Sequence, residues 1–328
     1  MSGYSIELCA GAGGQALGLE RAGFEHAGLV EIDPHACGTL RLNRPHWTVH
    51  EEDLNTFDGR LYKGVDLVAG GFPCPPFSVA GKQLGPLDDR DCFPAGLRVI
   101  DEVRPKAVMI ENVRGILAPD FAGYRASIDA RLGAMGYVTS WRLFNAADFG
   151  VSQLRPRVLI VALKKQYAAE FVWPEVKRKA PTVGRLLHDL MRARGWRGAD
   201  QWRDTACAIA PTVVGGSKKH GGPDLGPTRA KKAWAALGVD GMGIANAAPD
   251  EDFEGMPRLT VRMVARVQGF PDDWEFGGKK TAAYRQVGNA FPPPVAFAVA
   301  AAIKTAIAPK TVKSRARVKV KAWQVEMI

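Results

Sequence analysis

The 328-residue chain can hold one large domain with a smaller one beside it, and its 46% apolar and 24% charged residues exclude a disordered or fibrous polypeptide. Its five cysteines (Cys9, Cys37, Cys74, Cys92, Cys207) are scattered without CxxC or Cys/His spacing, so neither a disulfide framework nor a metal site is expected, and a reducing cytoplasm suits them. The formal net charge of +10 favours a polyanionic partner, although six of those charges are Lys310, Lys313, Arg315, Arg317, Lys319 and Lys321 of the C-terminal tail. Glu7 and a glycine cluster interrupt the first apolar run, so no signal segment is expected, and no stretch approaches a membrane span.

Taken in order, Ser5–Ala10 reads as a first strand that enters Gly11-Ala12-Gly13-Gly14 and then a helical pattern through Leu17, Leu19 and Ala22. Leu29–Asp33 is a second strand ending in acids, and Pro34 then opens a helix. Trp47–His50 and Val65–Ala69 are the third and fourth strands, and Ala107–Glu111 is the fifth. Val138–Phe144 and Val158–Leu163 are two more, expected to pair antiparallel at the sheet edge, with helices near 92–103 and 124–135. Repeated strand–helix alternation argues for an α/β fold with a doubly wound, mostly parallel sheet.

Composition changes after Lys164. Up to about Gly255 the chain is rich in Gly, Pro, Trp and basic residues, and regular periodicity is hard to find. It reads as a smaller, loop-rich module whose interleaved Trp and Arg favour nucleic acid. Leu259, Val261, Val264 and Val267 then give a helix with Thr260 as its cap, and an apolar helix over Val295–Ile307 should return to the sheet. The expected organisation is 1–164 catalytic, 165–256 middle module, 257–308 return and 309–328 tail.

Two stretches carry chemistry. Gly11-x-Gly13-x-x-Ala16 with Glu31 about twenty residues on matches a dinucleotide fingerprint. It serves NAD or an adenosyl cofactor, with Glu31 on the ribose and Asp53 on the adenine amine, or it is merely a tight corner. Gly70-Gly71-Phe72-Pro73-Cys74-Pro75-Pro76-Phe77-Ser78 follows the fourth strand, at the carboxyl end where open α/β sheets bind ligands. Its prolines keep Cys74 in a rigid, non-helical loop, where the thiol is either a nucleophile or a small buried hydrophobe.

With these pieces in order, the chain resembles the DNA (cytosine-5) methyltransferases. Six blocks fall in the family order: Glu7–Gly14, Glu31-Ile32-Asp33, Gly70–Ser78, Glu111-Asn112-Val113, Gln153-Leu154-Arg155-Pro156-Arg157, and Arg258–Asp272 followed by Gln286–Pro293. The resemblance covers 4–163 and 257–307, and implies a Rossmann-like S-adenosylmethionine-dependent fold with the middle module as target recognition domain. It implies that Cys9, Ala10, Gly11, Gly13, Gly14, Glu31, Ile32, Asp53, Leu54, Pro73, Asn289 and Ala290 contact the cofactor. Cys74 would add to carbon 6 of a flipped cytosine and Glu111 would donate to N3. Arg157 would hold O2, and Arg155 would order the site or a phosphate.

Ser78, Lys82, Lys218, Lys219, Arg229 and Lys231 are the expected DNA contacts, residues 79–97 a closing loop, and the partner double-stranded DNA engaged by a monomer. Three departures have consequences. Cys9 stands where the family usually has Phe, so it stacks less on adenine. Pro75 replaces the commoner Gln, and Met263 an acid, which removes any ion pair there. An RNA (tRNA) cytosine-5 methyltransferase is the alternative on the same scaffold. An NAD-dependent oxidoreductase leaves Cys74, Glu111 and the Gln-x-Arg-x-Arg run unexplained.

Overall fold

Seven strands form one sheet in the order β3-β2-β1-β4-β5-β7-β6. The computed structural model describes residues 3–73, 91–175, 178–215 and 223–309. In chain order, β1 (Gly3–Leu8) leads into α1 (Gly14–Arg21), β2 (Phe24–Glu31) into α2 (Pro34–Asn43), and β3 (Val49–Glu51) towards β4 (Leu67–Gly71). Then follow α3 (Phe93–Val103), β5 (Ala107–Val113), α4 (Ala122–Ala134), β6 (Tyr137–Asn145) and β7 (Pro156–Lys164). The chain continues with α5 (Lys165–Ala168), α6 (Val183–Arg192), α7 (Ala199–Thr205), α8 (Thr228–Ala235), α9 (Val261–Val267), α10 (Lys280–Asn289) and α11 (Pro293–Ile307).

Strands β1 to β5 are mutually parallel, and β7 runs antiparallel to both β5 and β6. Side-chain alternation divides the sheet residues between two covers. Ile6, Leu8, Val68, Val108 and Ile110 pack with Leu97 and Ile100 of α3 and Ile128 and Leu132 of α4. Leu67, Ala69, Met109, Leu159 and Val161 pack with Val295, Val299 and Ile303 of α11. Such two-sided burial is what continuous apolar runs like Ala107-Val108-Met109-Ile110 require, and it is the doubly wound arrangement expected from the sequence. Among the described residues no single helix is long and apolar enough to cross a membrane.

Local chemistry moves several boundaries. Asp33 is not the end of β2: its Oδ1 accepts from the His35 and Ala36 backbone N–H groups, which makes it the N-cap of α2 ahead of Pro34. The Thr260 hydroxyl caps α9 by accepting from Met263 N–H at 3.2 Å. In return the Met263 sulfur lies 3.4 Å from the Thr260 N–H. A thioether thus closes the capping box, and no ion pair is needed there.

The middle of the chain is loop-rich, as expected, yet not without regular structure. It carries three two- to three-turn helices, α6, α7 and α8. Trp196, Trp202 and Trp234 do not present stacking faces to nucleic acid. They are buried with Val183, Leu187 and Met191, in a cluster that continues into α9 and α10. Large aromatics gain more from full burial than from solvent exposure, and these three join Leu186, Leu225, Leu237, Val239 and Ile244 in the core of the module.

Two interactions set how α1 sits on the sheet. Gly18 crosses α11 so closely that a Cβ there would lie 2.7 Å from Phe297 N and 2.8 Å from Pro293 O. His26 on β2 reaches the Ala16 carbonyl with Nε2 at 3.0 Å, and its Nδ1 lies 3.1 Å from the Ser5 hydroxyl. Donation to Ala16 O makes Nδ1 the acceptor, so the ring is held neutral, and burial lowers its pKa to about 4. The unfolded chain takes up this proton near pH 6.5 and the native state resists it, so stability should fall as pH drops from about 6.5 towards 4. Chemical denaturation across that range should show this slope, and His26→Gln should flatten it. Gly18→Val should lower the thermal midpoint by several degrees, since forced overpacking costs about 1–3 kcal/mol.

Candidate active site

Parallel pairing brings the carboxyl ends of β1 to β5 to one edge of the sheet, and this edge collects the sequence blocks. After β1, Cys9 adopts a left-handed backbone (φ 55°), as do Gly11 (φ 55°) and Gly13 (φ 83°). At the end of β2 the Glu31 carboxylate holds this turn: Oε2 accepts from Gly11 N–H at 2.7 Å, and Oε1 accepts from the N–H groups of Ile32 and Asp33. A carboxylate offers about four acceptor positions, so one remains for a ligand hydroxyl. A methyl group added to Gly11 would meet nothing within 4 Å, so the backbone there faces open space. An adenosyl cofactor with a ribose diol fits this set.

The other cofactor candidates surround that opening unequally. Asp53 is exposed, and its Oδ1 accepts from Asn55 N–H at 2.9 Å. Its charge and that of Glu31 both act on the Cys9 thiol. Ile32 is 63% exposed, an apolar surface that only a ligand would cover, whereas Leu54 is buried beneath. Ala10 and Ala290 are buried, and Pro73 and Asn289 are exposed. The Ala290 Cβ lies 3.3 Å from the place a Gly14 Cβ would occupy, so the Gln286–Pro293 block backs the glycine turn. Below it Glu7 is fully buried. Burial, and then the charge of Glu31, push its carboxyl well above the usual range, while the Ala16 N–H bond opposes them.

The antiparallel strand explains how two distant blocks meet. Because β7 runs against β5, its amino end lies at the catalytic edge, opposite the end of β5: Arg157 pairs with Val113, and Leu159 with Glu111. The Arg157 guanidinium then reaches Glu111, Nε to Oε1 at 2.7 Å, with both side chains about 15% exposed or less. Burial lowers the Arg157 pKa, and the Glu111 charge and hydrogen bond oppose that. The second oxygen of Glu111 lies 3.1 Å from the place a Gly71 Cβ would occupy, so glycine is needed where β4 passes the acid. Asn112 donates to the Phe72 carbonyl at 3.1 Å and fixes the exit of β4 towards Cys74.

Arg155 has a different place from its neighbour. It is 1% exposed, so it cannot touch a phosphate as one sequence reading expected. Instead Nη1 donates to the Val213 carbonyl at 2.6 Å, and Nη2 donates to those of Gly288 and Ala290 at 2.9 and 3.0 Å. Gln153 and Gln268, from motifs quoted above but given no role there, complete the network. Gln153 donates to Gln268 Oε1 and accepts from Val213 N–H at 2.8 Å. Gln268 donates to the carbonyls of Val287 and Ala290. Next to it a Gly288 Cβ would fall 2.5 Å from Gly215 Cα, so the two glycine backbones touch.

Among the expected DNA contacts, Lys231 is drawn into an ion pair with Asp224 at 2.6 Å and is only 24% exposed, which removes it from a phosphate-facing role. Arg229, on the same helix, is exposed. Cys74, Ser78, Lys82, Lys218 and Lys219 lie outside the described residues, as do most of the closing loop and the tail beyond residue 309.

An acid-ended β2 holding a glycine turn, in a sheet whose seventh strand is antiparallel and whose edge carries an acid–arginine pair, defines an adenosyl-cofactor methyltransferase. The chain belongs to the C-5 cytosine-specific DNA methylases, whose family profile matches residues 4–305. It is 57% identical over 299 residues to the Type II methyltransferase M.NgoMIV of Neisseria gonorrhoeae, covering 90% of this chain and 95% of that one. It is 56% identical over 308 residues to the Type II methyltransferase M.NaeI of Lentzea aerocolonigenes, covering 92% and 75%. Among solved structures, a Spodoptera frugiperda DNMT2 variant superposes with a TM-score of 0.66 at 16% identity, over 92% of this chain and 99% of that one. The protein is thus a DNA (cytosine-5-)-methyltransferase that uses S-adenosylmethionine.

Replacing Arg155 by Met should leave the buried Val213 and Gly288 carbonyls without this partner, Ala290 keeping its bond from Gln268, and cost about 2 kcal/mol or more. A lower thermal midpoint together with weaker cofactor binding is the expected result, measured by thermal unfolding and by calorimetry with S-adenosylhomocysteine.

Proposed function

We propose that this protein is the modification enzyme of a Type II restriction-modification system, methylating carbon 5 of cytosine in duplex DNA as a monomer in the cytoplasm. The observation that carries the reading is the Glu111–Arg157 pair, 2.7 Å apart at the sheet edge where Pro73 leads into Cys74. The match to the C-5 cytosine-specific DNA methylase family over residues 4–305 supports DNA rather than RNA as the substrate.

S-adenosylmethionine supplies an electrophilic methyl group, held by the glycine turn with Glu31 towards its ribose and Ile32 and Asp53 towards its adenine. Carbon 5 of cytosine is too weak a nucleophile to take that methyl unaided. Addition of the Cys74 thiolate at carbon 6 breaks the ring's aromaticity and gives carbon 5 enamine character. Glu111, once protonated, donates to N3 as charge develops on the ring, and Arg157 positions the carboxyl through one oxygen and holds the cytosine O2. The base must leave the stack to reach these groups. Residues 165–256 form the target recognition region, with Ser78, Lys82, Lys218, Lys219 and Arg229 towards DNA. Arg155 serves by holding Val213 beside the Gly288–Ala290 end of α10.

Transfer of labelled methyl to mixed-sequence duplex DNA should place label on cytosine carbon 5 and vanish in Cys74→Ser. A folded, cofactor-binding protein that labels tRNA but no duplex would overturn the DNA reading. Glu111→Gln should lower kcat by about 100- to 10,000-fold, the usual contribution of a positioned proton donor, while leaving S-adenosylhomocysteine affinity intact.

A further inference from the structure

Gly215, in the middle segment, packs flush against the end of α10. A Cβ at this position would overlap Asn289 Oδ1, and would lie 2.6 Å from Asn289 Cγ and 2.9 Å from the Arg285 carbonyl oxygen. From the other side, a Gly288 Cβ would fall 2.5 Å from both the Cα and the N of Gly215. The Gly215 backbone is not left-handed, so its conformation does not call for glycine; the close approach does. Asn289 occupies the space that a side chain at 215 would claim. It is exposed at the end of α10, one residue before Ala290, whose Cβ lies 3.3 Å from the place of a Gly14 Cβ in the cofactor turn.

Both backbones that meet here are tied down. On one side the Val213 N–H donates to Gln153 Oε1 at 2.8 Å, and the Val213 carbonyl accepts from Arg155 at 2.6 Å. The Thr212 hydroxyl donates to the Leu154 carbonyl. On the other side α10 is fastened to the start of α2. Arg285 Nη2 donates to Asp33 Oδ2 at 2.8 Å, and the Thr39 hydroxyl donates to Gln286 Oε1. The last turn of α10 is held by the Arg155 bond to the Gly288 carbonyl at 2.9 Å. Neither backbone can withdraw without breaking these bonds, whereas the Asn289 amide turns about two side-chain torsions. A methyl group at 215 is therefore accommodated by swinging that amide out of its place.

We propose that Gly215 is a positioning residue for the cofactor: the absence of a side chain there leaves the space that the Asn289 amide needs, so a stretch of the middle segment completes the cofactor site. Gly215 touches no cofactor atom and acts through Asn289. The middle segment thereby contributes to cofactor affinity as well as to target recognition. The proposal rests on the assignment of Asn289 to the cofactor site.

The test is a double-mutant cycle on the full chain, with Gly215→Ala, Asn289→Ala and the two combined. Calorimetry with S-adenosylhomocysteine reads affinity, and thermal unfolding checks that each variant is folded. Asn289→Ala should weaken affinity by about fivefold, the scale of one lost hydrogen bond. Gly215→Ala should weaken it by a similar factor and raise KM for S-adenosylmethionine more than it lowers kcat. In the combined variant the methyl at 215 meets no amide, so affinity should match that of Asn289→Ala alone. Single effects that multiply in the combined variant, or a Gly215→Ala protein of unaltered affinity beside a weakened Asn289→Ala, would overturn the proposal. If Gly215→Ala does not fold, the combined variant decides: folding with the affinity of Asn289→Ala supports the proposal, and failure to fold overturns it. The site assignment is read independently, since unchanged affinity in Asn289→Ala alone overturns the placing of Asn289 at the cofactor.

Discussion

A guanidinium with almost no exposure to water is the constraint on which the rest of this molecule depends. Burying Arg155 carries a large desolvation penalty, and its pKa is driven well below the ordinary value by burial, with the Arg157 charge adding to it. The penalty is offset where the two terminal nitrogens donate to three carbonyls, of Val213, Gly288 and Ala290. Those acceptors come from the middle segment and from the end of α10. One side chain just ahead of β7 therefore keeps three separate stretches of chain in register. The neighbouring glutamines, Gln153 and Gln268, satisfy amide groups that burial would otherwise leave unpaired.

One block does two jobs because its two arginines straddle the start of β7. Arg155 precedes the strand and reaches into the packing between segments, whereas Arg157 lies within it and turns to Glu111 across the β5–β7 pairing. Antiparallel direction is essential here. A seventh strand running with the other strands would carry its amino end to the opposite edge, and no arginine of that block would reach the β5 acid.

Much of the fold was legible because its signals are local. Val65–Ala69 and Ala107–Ile110 are runs that only a strand covered on both faces accommodates, and Gly11 to Glu31 has the spacing of a βαβ corner. The network around Arg155 was not legible, since its partners are backbone carbonyls, which every residue possesses and no motif marks. The three tryptophans of the middle segment were misread because Trp beside Arg looks alike whether it faces a base or a core. The spacing of Val183, Leu186, Leu187 and Met191 was the overlooked sign that a helix, and therefore a buried side, lay there. For Gly215 the sequence shows only one glycine of a glycine-rich stretch, because its closeness to Asn289 depends on how α10 ends against the middle segment.

The close crossing of α1 and α11 has a consequence for the order in which the enzyme is made. The glycine turn leaves the ribosome well before the helix that seats α1, which ends at Ile307. An emerging chain folds from its amino end, so the early strands must wait, with the face destined for α11 uncovered, until that helix emerges. A chain stalled before α11 holds both halves of the catalytic edge and lacks the helix that seats α1. Methylating capacity should thus arrive abruptly, with α11, rather than grow with chain length.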